Sequence, residues 1–206
     1  MSAAPRLVLA THNRHKLGEL RAILHPALPG LELDAIVTAG ELGVADPVED
    51  GVTFAENALI KARAVAAATG LPAVADDSGL AVDVLGGAPG IFSARWSGRH
   101  GDDKANLDLL LAQLGDVGPA HRQARFVCAA ALVVPGGEEV VELGTLEGSL
   151  APAPRGAHGF GYDPVLVPVG DTRTCAELSP DEKNAISHRG KAFRALVPAV
   201  VRALGG

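Results

Sequence analysis

Short apolar runs that read as strands alternate along this chain with segments of helical periodicity, and that alternation restricts the fold more than any other feature. Residues 6–10 read as a strand, Thr11-His12-Asn13 as a polar break, and residues 14–25 as a helix with Leu17, Leu20, Ile23 and Leu24 on one face. Residues 31–37 are a second strand candidate. Residues 53–69 form the best-defined helix: Thr53 and Glu56 make a capping box, Ala is abundant, and Gly70 and Pro72 stop it. Residues 73–75 read as a short buried strand that ends in Asp76-Asp77-Ser78-Gly79, after which alternation resumes over 80–84. A Gly-rich loop over 85–99 precedes a helix over 102–114 capped by Asp102. Two strands, 122–134 and 139–150, flank the hairpin signal Pro135-Gly136-Gly137. Residues 151–162 form a loop and 165–167 a short strand. A helix opens at Ser179-Pro180, and a terminal helix over 191–204 contains Pro198. Such interleaving predicts an α/β fold with a mixed central β-sheet flanked by helices.

The length of 206 residues suits a single domain, 1–206, built of two closely packed lobes. Hydrophobic residues are 48% of the chain but aromatics only 3%, so the core must be made from Ala, Val and Leu. A net charge of −6 argues against a nucleic-acid surface. It leaves room for a small anionic ligand in a locally basic pocket, or one that brings a metal ion with it. Cys128 and Cys175 have neither disulfide-framework nor zinc-site spacing. The N-terminus lacks a signal-peptide pattern, and no run of about 18 apolar residues exists. A soluble, cytoplasmic protein with no membrane partner is the expectation.

Five segments carry chemistry. In Thr11, His12, Asn13, Arg14, His15 and Lys16, a strand gives way through a polar turn to a helix start, the arrangement that aims backbone N–H groups at an anion. Cations at a helix start oppose the dipole, so Arg14 and Lys16 make better sense with an anion beside them. The segment is not a Walker A loop, which needs two glycines and a GK[ST] ending. In Asp76-Asp77-Ser78-Gly79, two adjacent carboxylates after an apolar strand are costly unless a cation or donors compensate them. Strand-end acids suit Mg²⁺, and one carboxylate can take a proton from water. The competing interpretation is a plain Asp-Ser-Gly turn. Glu49-Asp50-Gly51 offers a further carboxylate for the same metal. In Gly159-Phe160-Gly161-Tyr162-Asp163-Pro164, two aromatics between glycines can present ring faces to a planar base, or serve as core anchors. In the fifth, residues 183–189, Lys183 and Ser187 are i,i+4 neighbours if helical, with His188 and Arg189 following at the helix end.

Together and in this order, these segments resemble the inosine triphosphate pyrophosphatase family. The likeness runs through LVLATHNRHKLGEL, EDGVTFAENALIKA, ADDSGLAVDVLGGAPGIFSARWSG, GFGYDP and ELSPDEKNAISHRGKAF, nearly the whole chain. It implies a mixed α/β fold of two lobes with a cleft between them, usually as a homodimer. It implies Mg²⁺-dependent hydrolysis of ITP, dITP and XTP between the α and β phosphates, giving a monophosphate and pyrophosphate. By the resemblance, Thr11 through Lys16 hold the triphosphate, Asp77 is general base and metal ligand, and Glu49 is the other metal-linked acid. Ser78 touches the substrate; Phe160, Gly161, Tyr162 and Asp163 line the base site; Lys183, His188 and Arg189 contact the nucleotide. His12 and His15 stand where family members often have Gly, which adds bulk and, at low pH, charge beside the phosphates.

Base selection has a physical basis. Hypoxanthine and xanthine carry a carbonyl acceptor at the six position where adenine carries an amino donor, so donors from His188 or Arg189 would favour the first two. Three alternatives compete with this assignment. The related Maf-type pyrophosphatases favour pyrimidine or modified nucleotides, and GFGYDP and SHR argue against them. A dinucleotide-binding oxidoreductase would need G-x-G-x-x-G after the first strand. A non-enzymatic nucleotide-binding module gains little from two adjacent carboxylates beside phosphates.

Overall fold

The computed structural model describes residues 3–11 and 14–205, with the backbone alone for residues 14 and 15. The described strands are β1 (Leu7–Leu9), β2 (Ile36–Thr38), β3 (Ala73–Val82), β4 (Gln123–Val133), β5 (Glu139–Leu150) and β6 (Leu166–Pro168). The described helices are α1 (Arg14–Leu24), α2 (Phe54–Thr69), α3 (Asp103–Gln113), α4 (Pro180–Ile186) and α5 (His188–Ala203). The strands form one six-stranded sheet in the order β2-β1-β3-β4-β5-β6. β1 pairs in parallel with β2 and β3, while β5 and β6 are antiparallel. The fold is therefore α/β with a mixed sheet, as the sequence predicts.

The chain divides into two compact units. The first comprises Met1–Asp77, Cys128–Gly144 and Arg189–Gly206; the second comprises Ser78–Val127 and Thr145–His188. The first unit has two cores. One joins Leu7, Leu9 and Val74 of the strands to Leu17, Leu20 and Leu24 of α1 and to Ala192, Phe193 and Leu196 of α5. The other joins Val8, Ala73 and Ala75 to Ala58, Ala62, Val65 and Ala66 of α2. Because side chains alternate along a strand, odd and even positions of β1 and β3 feed opposite faces of the sheet. Ala on both α2 and β3 keeps helix and strand close, which explains a core nearly free of aromatics. In the second unit, Leu80 and Val82 pack with Leu107, Leu110 and Leu114 of α3, and with Tyr162, Val165 and Leu166. Both cysteines are buried and free.

Helix ends follow the sequence signals. The Thr53 side chain accepts from the Glu56 N–H at 3.1 Å, and the Glu56 carboxylate accepts from Val52 N–H at 2.6 Å. The reciprocal half of that box thus reaches one residue further back than the usual pattern. Asp102 caps α3, and Ser179 with Glu182 forms a complete capping box on α4.

Three elements differ from the sequence expectation. Residues 31–37 are not one strand: Leu33–Ala35 makes a 3-10 turn and only Ile36 onward joins β2. Lys183 and Ser187 do not share a helix. α4 ends at Ile186, Ser187 is extended (φ −61°, ψ 144°), and His188 and Arg189 open α5 instead of closing α4. Ser is a poor interior residue and a good boundary one, so the break falls there. Most consequentially, Asp76 and Asp77 are not at a strand end. β3 runs unbroken from Ala73 to Val82, through both acids, Ser78 and Gly79.

Candidate active site

An unbroken β3 decides where the two acids go. Val74 and Asp76 project to the face covered by α1 and α5, Ala75 and Asp77 to the face covered by α2. Neighbours in sequence therefore occupy two different chemical environments.

On the α2 face, Asp77 Oδ2 accepts from the Asn57 amide at 3.3 Å, and Asp77 Oδ1 lies 3.5 Å from Lys61 Nζ. Lys61 also binds Glu49 Oε2 at 3.1 Å, so one ammonium lies between two carboxylates. Asn57 and Lys61 are four residues apart, one turn of α2, and so share a face. Asn57 is buried, and its Oδ1 also accepts from Gly51 N–H at 2.9 Å, tethering the loop that carries Glu49. The Asp77 carboxyl is raised from its ordinary value: burial raises it, Lys61 opposes, the charge of Glu49 raises it further, the Asn57 hydrogen bond lowers it, and Asp76 adds a last upward push. Burial makes this carboxylate take up a proton more readily than an exposed one, while Lys61 beside it favours the charged form, which suits it to receive a proton.

On the opposite face, Asp76 accepts from Lys16 Nζ at 3.0 and 3.1 Å and from Arg189 Nε at 3.1 Å. Its side chain is 2% exposed. Burial alone would push the carboxyl up, but Lys16 and Arg189 outweigh it and hold the group well below the ordinary range. Lys16 comes from the first turn of α1 and Arg189 from the first turn of α5. Arg189 further lies 3.7 Å from Glu19.

The donors available for a cation are therefore the oxygens of Glu49 and Asp77. Among the described residues, no group of three or more His, Cys, Asp or Glu is placed to hold a metal. Mg²⁺ prefers oxygen ligands, and when carried by substrate phosphates it needs only one or two protein carboxylates. A pair already bridged by a positive charge, that of Lys61, fits such an ion.

The second unit holds a separate cluster. Asp163 Oδ2 accepts from Phe160 N–H at 2.8 Å and from Lys183 Nζ at 2.5 Å, which ties α4 to the turn at 159–163. The Lys183 ammonium lies 5.4 Å from the centroid of the Phe160 ring, a cation–π distance. Phe160 is 66% exposed, whereas Tyr162 is buried and its hydroxyl donates to Ser93 O at 2.9 Å. Gly161 N–H donates to Asp103 at 3.0 Å. Gly159 has φ +75°, and a Cβ there would fall 2.1 Å from Asp163 Oδ2, so the turn admits only glycine. His188 stacks on Phe126 with centroids 5.0 Å apart.

The sequence-predicted residues thus separate. The first unit brings Lys16, Glu49, Asp77 and Arg189 into the paired arrangement just described, and Thr11 follows β1 with its carbonyl accepting from Gly40 N–H. The second unit brings together Phe160, Gly161, Asp163 and Lys183, with Ser78 half-buried on β3. Tyr162 serves as a core anchor, and the exposed ring face belongs to Phe160 alone. His12 and Asn13, and the side chains of Arg14 and His15, lie outside the described residues. Sequence reasoning passed over Asn57 and Lys61. Their signal was present: an Asn and a Lys one turn apart in an Ala-rich helix, on the side that Ala58 and Ala62 bury.

The α/β sheet thus carries two carboxylates parted by a strand pleat, Asp76 paired with cations from two helix starts and Asp77 set beside Lys61. The chain belongs to the Ham1 family, whose pattern matches residues 7–199. It is 68% identical over 200 residues to the dITP/XTP pyrophosphatase of Streptomyces avermitilis, covering 97% of this chain and 99% of that protein. The dITP/XTP pyrophosphatase of Streptomyces coelicolor is 66% identical over the same length, with the same shares covered. Among solved structures, a HAM1 protein from Coxiella burnetii superposes with a TM-score of 0.86 at 42% identity, covering 97% of this chain and 100% of that one. The nucleoside-triphosphatase and dITP/XTP pyrophosphatase of Mycobacterium abscessus gives 0.79 at 53% identity, over 94% and 99%. The family resemblance carried by the sequence motifs is borne out.

Proposed function

We propose that this chain hydrolyses deaminated purine nucleoside triphosphates, ITP, dITP and XTP, to the monophosphate and pyrophosphate, and so cleanses the nucleotide pool. The observation that carries this reading is the parting of Asp76 from Asp77. One acid is neutralised by two cations, and the other is left beside Lys61 and Glu49 with a raised affinity for a proton. Near-complete coverage of relatives named dITP/XTP pyrophosphatase supports the choice of substrate.

Glu49 and Asp77 would hold Mg²⁺, which when bound supplies positive charge against the triphosphate oxygens. Asp77 orients a water toward the α-phosphorus and takes its proton. Lys16 offsets charge that builds on the leaving pyrophosphate, and the backbone at the start of α1 faces the same anion. No covalent intermediate on the protein is required. In the second unit, Phe160 offers a ring face to the base, and Lys183 and His188 offer donors to a carbonyl at the six position. Arg189, which the sequence placed with His188 on the base, works through Asp76 on the anionic side. Work on the nucleotide pool sets the protein in the cytoplasm, and the family resemblance favours a homodimer.

Asp77→Asn tests the assignment of the base. It removes the proton acceptor while keeping size, and general-base catalysis contributes roughly 10²-fold or more. Pyrophosphate release from ITP should fall below about a tenth of wild type; retention of more than that rejects Asp77 as the base.

A further inference from the structure

We propose that Asp76 is a positioning residue: it clamps Lys16 and Arg189 in place for the anionic part of the ligand and is not a second metal ligand. The inference rests on the reading above that Lys16 and Arg189 meet the nucleotide.

The geometry excludes the metal role first. A carboxylate offers about four lone-pair directions on two oxygens. On Asp76, Lys16 uses one on each oxygen and Arg189 uses a third, all at 3.0–3.1 Å. The group is buried, and it faces α1 and α5, the side of the sheet opposite Asp77. A metal shared by the two adjacent acids would have to sit on both faces of one strand.

The cations are the informative part. Lys16 and Arg189 each lie in the first turn of a helix, where the dipole disfavours positive charge. A fold that needed only an internal ion pair could place one cation, at a helix C-terminus. Here two helices start against one strand, each with a cation turned toward a single carboxylate. Lys16 keeps donor capacity beyond its two bonds to Asp76, and its side chain is 23% exposed. One buried anion thus fixes two positive groups that would otherwise be flexible, and removes the ordering cost from the moment of binding.

The test uses the full-length protein with Asp76→Asn, Lys16→Met and the double variant. It measures KM and kcat for ITP, the Mg²⁺ concentration for half-maximal rate, and calorimetric affinity for pyrophosphate. Loss of a charge-assisted contact predicts a KM for ITP roughly 10- to 100-fold higher in Asp76→Asn, with kcat changed less. The Lys16→Met effect should shrink to below about 3-fold once Asp76 is gone, since coupled residues are not additive. Half-saturating Mg²⁺ should stay within about 3-fold. A KM within about 2-fold of wild type, fully multiplicative effects, or a Mg²⁺ requirement raised more than about 10-fold overturns the clamp. If Asp76→Asn does not fold, Asp76→Glu carries the test: it keeps the charge, displaces the carboxylate by a methylene, and should raise KM while sparing the Mg²⁺ requirement. An unchanged KM overturns the proposal there too. If wild type hydrolyses ITP but Lys16→Met is unaffected, the clamp falls while the function stands. If wild type releases no pyrophosphate from ITP, the functional reading falls, and weaker pyrophosphate binding by Asp76→Asn still decides the clamp.

Discussion

Gly79→Ala is the substitution whose cost the structure defines most sharply. β3 carries two acids and a glycine in its middle, and the glycine is there because of what crosses it. A Cβ at Gly79 would lie 2.4 Å from Ser93 Oγ, 2.6 Å from Gly90 O and 2.9 Å from Ser93 Cβ. The Gly90 oxygen is backbone and cannot turn away. Ser93 Oγ is equally constrained: it accepts from Leu80 N–H at 2.8 Å and donates to Gly90 O at 2.6 Å. Overpacking costs about 1–3 kcal/mol, and rotating Ser93 away would leave the buried Leu80 N–H unpaired, a further ~1–3 kcal/mol. At roughly 2–4 °C per kcal/mol for a chain of this size, the melting temperature should fall by about 4–24 °C in differential scanning calorimetry. Gly118→Ala is the control: Gly118 has φ −65° and open space around it, so its melting point should stay within about 2 °C of wild type. A fall of less than about 2 °C for Gly79→Ala would refute the reasoning, because it would mean that Ser93 and Gly90 do not hold the strand as described.

Other expectations follow from the same contacts. Gly18 is exposed within α1 with nothing near its would-be Cβ, so Gly18→Ala should stabilise by about 0.5–1 kcal/mol, read as a higher melting temperature. The two aromatics of the 159–163 turn should separate. Tyr162→Phe loses the buried bond to Ser93 O and should cost about 1 kcal/mol of stability. Phe160→Ala should melt within about 0.5 kcal/mol of wild type, since the ring is mostly exposed, yet raise KM for ITP about 5-fold or more. Acid should act through Asp76. Its folded carboxyl lies below its unfolded value, so its contribution is present above about pH 4 and is lost as pH falls. The gap in melting temperature between wild type and Asp76→Asn should therefore narrow from pH 6 toward about pH 3; a constant gap would contradict the ion-pair account.

What could be read from the sequence divides along physical lines. Local signals were sufficient for α2, whose Thr53 cap and Gly70 stop lie within a few residues of what they terminate. The same holds for Asp102 on α3 and for the box at Ser179 and Glu182. The course of β3 was not legible. Asp, Ser and Gly in succession have turn chemistry, and what keeps them extended lies elsewhere: β1 alongside, and Ser93 against Gly79 and Leu80. Adjacency in sequence accordingly suggested one acidic pair, whereas the pleat makes two environments, and only the helix packed on each face says which acid meets which cation. Lys61 and Asn57 went unremarked because a Lys in an Ala-rich helix looks solvated until its burial beside Asp77 and Glu49 is known. The break at Ser187 likewise depends on α5 starting at His188, a tertiary choice that i,i+4 spacing does not reveal.

The proposed activity is cleavage of deaminated purine triphosphates with ordinary ones spared. The most direct measurement is pyrophosphate release across ITP, dITP, XTP, ATP, GTP, UTP and dTTP, with and without Mg²⁺. kcat/KM for ITP should exceed that for ATP by roughly 10³-fold or more, as a site built on hydrogen bonds to a carbonyl allows, and activity should vanish when Mg²⁺ is chelated. Equal rates on ITP and ATP, or a preference for UTP or dTTP, would contradict it.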